Sequence, residues 1–177
     1  MSGKSSSGTS LTSGARGGKF CYLAVWQDKL TRRIIGWSLS DVMTAELVVS
    51  ALQKAIRKGL VRAGAIIHPD QGSQYASNGF RLLLQQNCLR QSMSRRGNCY
   101  DNAQAESFFS RFKTELIEDG VFEDIEQARS EIFSYIEGYY NRVRLHSSLG
   151  YLSPMEFEME LKTKNEGGKE SFLSTFS

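Results

Sequence analysis

The sequence predicts an α/β domain, a mixed β-sheet with helices on both faces. Three observations carry that expectation. Two apolar runs joined by a short polar turn open the apolar part of the chain. Strand-like and helix-like segments then alternate, and the last third is helical in pattern. With 177 residues, 40% of them apolar and 23% charged, the chain is long enough to bury one sizeable core.

The elements follow in order. Residues 1–18 are rich in Gly and Ser and nearly free of large apolar side chains; they read as a flexible leader or a truncated first strand. "FCYLAVWQD" (20–28) and "RRIIGWSLS" (32–40) read as two strands of a hairpin, with Asp28 as a turn residue. "TAELVVSALQKAIRKG" places Leu47, Val48, Ala51, Leu52, Ala55 and Ile56 at helical spacing and ends on Gly59. "GAIIH" is a short β-branched strand, "SNGFRLLLQQN" a helix behind a Ser/Asn cap, "RQSMS" a short strand, and "RRGNCYDN" a polar loop. From Asn102, read as a cap, a helix aligns Phe108, Phe109, Phe112 and Leu116. The next aligns Ile125, Ala128, Ile132, Tyr135, Ile136 and Tyr139. Ser153-Pro154 opens a last helix as cap and first helical residue. The domain is expected over 19–160, with 161–177 a polar tail.

Composition excludes several classes. No run approaches the roughly 18 apolar residues of a membrane helix, and residues 1–18 lack the apolar stretch of a secretory signal. Cys21, Cys88 and Cys99 form no CxxC pair, and His68 and His146 stand apart, which argues against structural zinc and for reduced thiols in a cytosolic protein. The net charge of +3 conceals an asymmetry: residues 1–114 carry +10 and residues 115–177 carry −7. A basic front and an acidic back suit a one-sided polyanion binder. They also suit two solvated acidic helices.

The chemistry concentrates on two acids. In "AIIHPDQGSQY" (65–75) an apolar strand ends on Asp70 and turns. Ligands of open α/β sheets gather beyond the carboxyl ends of strands. Glu106 is the best partner, 35 residues intervening, on a helix whose i, i+4, i+7 face holds Glu106, Ser110 and Lys113. Two carboxylates can hold divalent ions for phosphoryl transfer, with the lysine on the nucleic-acid strand. Singly, Asp70 also fits a turn former and Glu106 a first-turn partner of the helix dipole.

"HPDQGSQY", "SMSRRGNCYDNAQAESFFSRFKTELI" and "YYNRVRLHSSLGYLSP" closely resemble the catalytic core of bacterial insertion-sequence transposases, over about residues 19–160. That family shares the retroviral-integrase core and its ribonuclease-H-like fold. The resemblance implies a DDE active site with Asp70 and Glu106 as second and third acids. It implies two Mg²⁺ or Mn²⁺ ions, and cleavage and joining of DNA at element ends and target. It also implies a homodimer or higher multimer, acting in the bacterial cytoplasm on the nucleoid. Lys113 matches a lysine that such cores present to DNA.

One departure stands out. The family's first aspartate lies twelve residues before the tyrosine of "YLAV", a count that reaches Ser10, and no acid precedes Asp28. The expectation is a missing or degenerate first strand and impaired metal binding and strand transfer. The alternative is a non-catalytic DNA-binding or self-association module on the same fold. A ribonuclease-H-type nuclease fits the "YYNRVRLHSSLGYLSP" segment less well. Arg95 and Arg96 in the polar loop are candidate phosphate contacts. Gln74 and Tyr75 could line the groove, Tyr75 stacking on a base or sitting in the core. Tyr140, Asn141, Arg144 and His146 form either a hydrogen-bonded corner or a DNA contact, and His68 reads as a supporting residue.

Overall fold

A computed structural model describes residues 4–15, 19–69, 73–92, 99–117 and 122–173. Five strands form one mixed sheet in the order β3-β2-β1-β4-β5: β1 (Lys4–Ala15), β2 (Lys19–Asp28), β3 (Ile34–Ser40), β4 (Ile66–His68) and β5 (Arg90–Gln91). β2 runs antiparallel to β1 and β3, while β1, β4 and β5 are parallel.

Alternation along β2 divides the core in two. Cys21, Leu23 and Val25 join one buried cluster; Ala24 and Trp26 join the other. α1 (Ala45–Arg57) and α2 (Asn78–Gln86) cover the second face with Leu47, Val48, Leu52, Phe80 and Leu84. α3 (Cys99–Phe112) and α4 (Ile125–Phe133) cover the first with Phe108, Phe109, Phe112, Ala128 and Ile132. The expected layers, helices on both faces of a mixed sheet, are therefore present. Gly36 lets α1 approach β3: a Cβ there would lie 2.3 Å from the Ala51 carbonyl oxygen.

Local chemistry sets the junctions. Asp28 Oδ1 accepts from the Leu30 and Thr31 amides at 3.0 and 2.8 Å, the expected turn role. Gly59, at φ +68°, ends α1: the Leu60 amide reaches the Ala55 carbonyl and the Gly59 amide that of Ile56. Ser77 caps α2 by accepting from the Phe80 amide. Ser153 and Glu156 form a reciprocal capping box at the start of α5 (Pro154–Leu173).

Four expectations need correcting. Residues 1–18 were expected to be leader or truncated strand, yet Lys4–Ala15 is the central strand. Its poor strand composition is offset by ladder pairing with β2 along most of its length and with β4 at Lys4, Ser5 and Ser6. α3 begins at Cys99, so Asn102 lies inside it and is no cap; nothing in Cys99 to Asp101 breaks a helix. α5 continues past residue 160 to Leu173. The residue turned inward is Tyr140, 3% exposed, and Tyr139 is 43% exposed. Ser134–Tyr140 is π-helical, with the Asn141 amide bonded five residues back to Ile136, and the wider turn shifts the inward face by one residue. Among the described residues no helix is long and apolar enough to cross a membrane.

Candidate functional site

β1 and β4 run side by side in the same direction, with Ser6 opposite His68. His68 closes β4, and Asp70 follows two residues later, outside the described residues. Ser10 lies on β1 four residues past Ser6, toward the carboxyl end of β4, and pairs across to Leu23. No carboxylate occurs in the β1 sequence.

α3 packs across β1. Its buried side is Phe108, Phe109 and Phe112. Glu106, Ser110 and Lys113 are all exposed on the opposite side, so Glu106, expected beside the apolar stripe, lies away from it. Glu106 is the eighth residue of α3, well past the first turn, so a role as partner of the helix dipole no longer accounts for it. Lys113 opens a π-helical turn, Lys113–Ile117. Seven residues of helix put its backbone about 10 Å along the axis from that of Glu106.

The other sequence candidates divide. Arg95 and Arg96 lie outside the described residues. Gln74 is half-buried in a short 3-10 turn, Ser73–Ala76. Tyr75 is corrected from a base-stacking candidate to a core residue: it is 3% exposed and packs edge-on against Trp26 and Phe80, at 6.2 and 5.5 Å between ring centres. Among the described residues no group of three or more His, Cys, Asp or Glu could hold a metal ion.

The "YYNRVRLHSSLG" segment resolves into two jobs. Asn141, fully buried, grips the start of β3. Its Oδ1 accepts from the Ile34 amide at 2.9 Å and its Nδ2 donates to the Ile34 carbonyl at 3.0 Å. The Tyr140 hydroxyl accepts from Gln27 Nε2 at 3.0 Å, and burial, against the fields of Arg144 and Arg32, pushes its pKa up to about 12. This is the hydrogen-bonded corner. Arg144 and His146 instead face a cleft.

That cleft, about 530 Å³, lies between α3, the β2–β3 turn and the segment after the π-helix. Arg32, Ser107, Arg111, Arg144, His146 and Ser147 are among its lining residues, and among the described lining residues none is acidic. Arg32 is placed by the turn, where it adopts φ +62°. Arg144 is fixed by Glu115, its Nε at 3.0 and 3.1 Å from the two carboxylate oxygens. Its guanidinium also lies 5.7 Å over the Tyr140 ring. The Tyr135 hydroxyl donates to the same carboxylate at 2.8 Å. His146 meets the Tyr140 ring edge-on at 5.0 Å. Burial, then Arg144 and Arg32, lower its pKa to about 4, so the ring is neutral at physiological pH. Arg32, Ser107 and Arg111 were not singled out from sequence. Nothing in their local spacing brings the three together.

Comparison with known proteins agrees with this fold. Residues 9–99 match one family described as an integrase core domain, and residues 87–154 match a second with the same description. The chain is 49% identical over 137 residues to the transposase for insertion sequence element IS904 of Lactococcus lactis, covering 77% of this chain and 54% of that protein. It is 47% identical over 137 residues to transposase InsF for insertion sequence IS3A of Escherichia coli, covering 77% and 48%. The chain thus spans about half the length of these curated relatives. Two solved structures share the fold. The catalytic core domain of BIV integrase has a TM-score of 0.66 at 16% identity, over 94% of this chain and 99% of that one. The HTLV-2 integrase catalytic core domain in complex with magnesium has a TM-score of 0.65 at 12% identity, over 88% and 95%.

Proposed function

Because the chain belongs to the integrase core domain family and is an insertion-sequence transposase core within it, we propose that its ancestral reaction is metal-dependent DNA cleavage and strand transfer, and that this chain performs it weakly or not at all. The observation that carries the reading is the make-up of β1. The strand beside β4 carries no carboxylate anywhere along it, and the resemblance aligns Ser10 with the family's first acid.

Asp70 and Glu106 take the roles of second and third acids and of metal ligands. Lys113 lies on the exposed Glu106 face and holds a DNA phosphate; Arg95, Arg96 and Gln74 are further DNA contacts. The DNA is that of element ends and target, the working form is a homodimer or higher multimer, and the setting is the bacterial cytoplasm. A two-ion Mg²⁺ or Mn²⁺ site does not fit the residues present. A serine hydroxyl is neutral and cannot replace a carboxylate bridging two cations. The lost carboxylate also favours a second reading, a non-catalytic module that keeps the fold for DNA binding or self-association.

The test is a Mg²⁺ titration and a DNA strand-transfer assay on this chain and on Ser10→Asp. Weak metal binding and no joining by the native chain, with both restored in Ser10→Asp, support the proposal. Clear Mg²⁺-dependent joining by the native chain overturns the impairment. A Ser10→Asp variant that stays inactive and binds no more metal overturns the assignment of Ser10.

A further inference from the structure

We propose that the cleft beside α3, walled by Arg32, Arg111 and Arg144, is a binding site for the phosphodiester backbone of DNA. It rests on the reading of the chain as a DNA-acting core and names a second place on the molecule that grips the strand.

Charge and donor chemistry come first. Three guanidiniums from three separate segments face one cleft, and among the described residues that line it none is acidic. Among the described residues Arg32 and Arg111 form no ion pair with a carboxylate. Arg144 is held in place by Glu115 on one side and by the Tyr140 ring on the other, so its remaining N–H groups are oriented in advance. Guanidinium forks match phosphate oxygens in bidentate fashion, and a pre-set fork loses less entropy on binding. The hydroxyls of Ser107, Ser147 and Ser148 add neutral donors at the same wall. Among the described lining residues there is no carboxylate to hold a cation, and there are several donors for an anion.

Location supplies the second argument. Ser107 is the chain neighbour of Glu106, and Ser107 and Arg111 sit one helical turn apart on α3. Their side of the helix adjoins the exposed Glu106, Ser110 and Lys113 face, about 100° around the axis. A strand laid along that face therefore reaches the cleft without crossing the sheet. The volume, about 530 Å³, lies within the roughly 300–1,000 Å³ range of pockets that enclose a ligand of nucleotide size.

The test is DNA binding by fluorescence anisotropy across a salt series, using the chain with Arg111→Gln, with Arg32→Gln and Arg111→Gln combined, and with Arg57→Gln as reference. Arg111 is exposed, so its replacement alone leaves folding intact. Arg57 ends α1 on the other face of the sheet. Each lost phosphate contact lowers the slope of log K against log salt by about 0.9. The expected loss is thus about 0.9 for Arg111→Gln and about 1.8 for the pair. It is the same on two duplexes of unrelated sequence, because phosphates carry no sequence information. Arg57→Gln keeps the native slope. Native slopes in both cleft variants overturn the proposal and leave the transposase reading standing. Absence of salt-dependent DNA binding by the native chain overturns it as well, whereas loss of the catalytic reading alone shows in the Ser10→Asp assay.

Discussion

Replacing Asn141 by alanine removes the clamp that joins the π-helix to the first residue of β3. The side chain is 1% exposed, and it satisfies both backbone groups of Ile34, itself 1% exposed. Alanine offers neither donor nor acceptor. A buried backbone group left without a partner costs about 1–3 kcal/mol, so two cost roughly 2–6 kcal/mol, centred near 4. For a domain of this size each kcal/mol lowers Tm by about 2–4 °C, which gives a fall of roughly 8–16 °C. Circular dichroism melts and urea unfolding measure it directly. Asn141→Asp sharpens the reasoning. It is nearly the same shape and still accepts from the Ile34 amide, but it sets a carboxylate oxygen against the Ile34 carbonyl. It should be at least as damaging as alanine. A Tm loss below about 3 °C for Asn141→Ala, or a nearly neutral Asn141→Asp, would refute the idea that amide pairing rather than volume holds β3. Because Arg32 stands in the turn just before β3, the same variants should also weaken DNA binding at the cleft.

Two further outcomes can be checked alongside. Gly36→Ala sets a Cβ 2.3 Å from a backbone oxygen of α1, which must move away, so urea unfolding should show a loss of about 1–3 kcal/mol. His146 supplies a pH dependence: its folded pKa, about 4, is below the ordinary value of 6.5. Between these values the unfolded chain binds the proton and the native chain does not. Stability is therefore full above about pH 6.5 and declines as the pH falls toward 4. The drop corresponds to roughly 3 kcal/mol for an enclosed ring, and solvent screening of this half-exposed one reduces it to about 1 kcal/mol. His146→Phe should flatten the stability profile between pH 4 and 6.5, and an unchanged slope there would show that another group is responsible.

Much of the architecture was legible because its causes are local. The strand β2 declares itself by its continuous apolar, aromatic run, and its two faces became the two cores. Caps and turns at Asp28, Gly59, Ser77 and Ser153 act within five residues of themselves, as their hydrogen bonds show. That Glu106, Ser110 and Lys113 share one face follows from helical spacing alone. The family wording was legible as well, and 47–49% identity to insertion-sequence transposases agrees with it.

What the sequence determined by itself was whatever one helical turn or one hairpin can specify, together with the wording that marks the family. The tertiary structure decided the rest. A Gly/Ser-rich segment became the central strand because β2 pairs along most of it and β4, far along the chain, pairs with its start. Tyr75 went into the core because Trp26 and Phe80 meet it there. Tyr140 displaced Tyr139 because a π-turn rotated the helix, and a step of that kind leaves no mark on periodicity. Arg32, Arg111 and Arg144 share a cleft only because the hairpin turn, α3 and the segment after the π-helix are packed against one another. Charges so distant in sequence acquire a common function only when the core has fixed the distances between them.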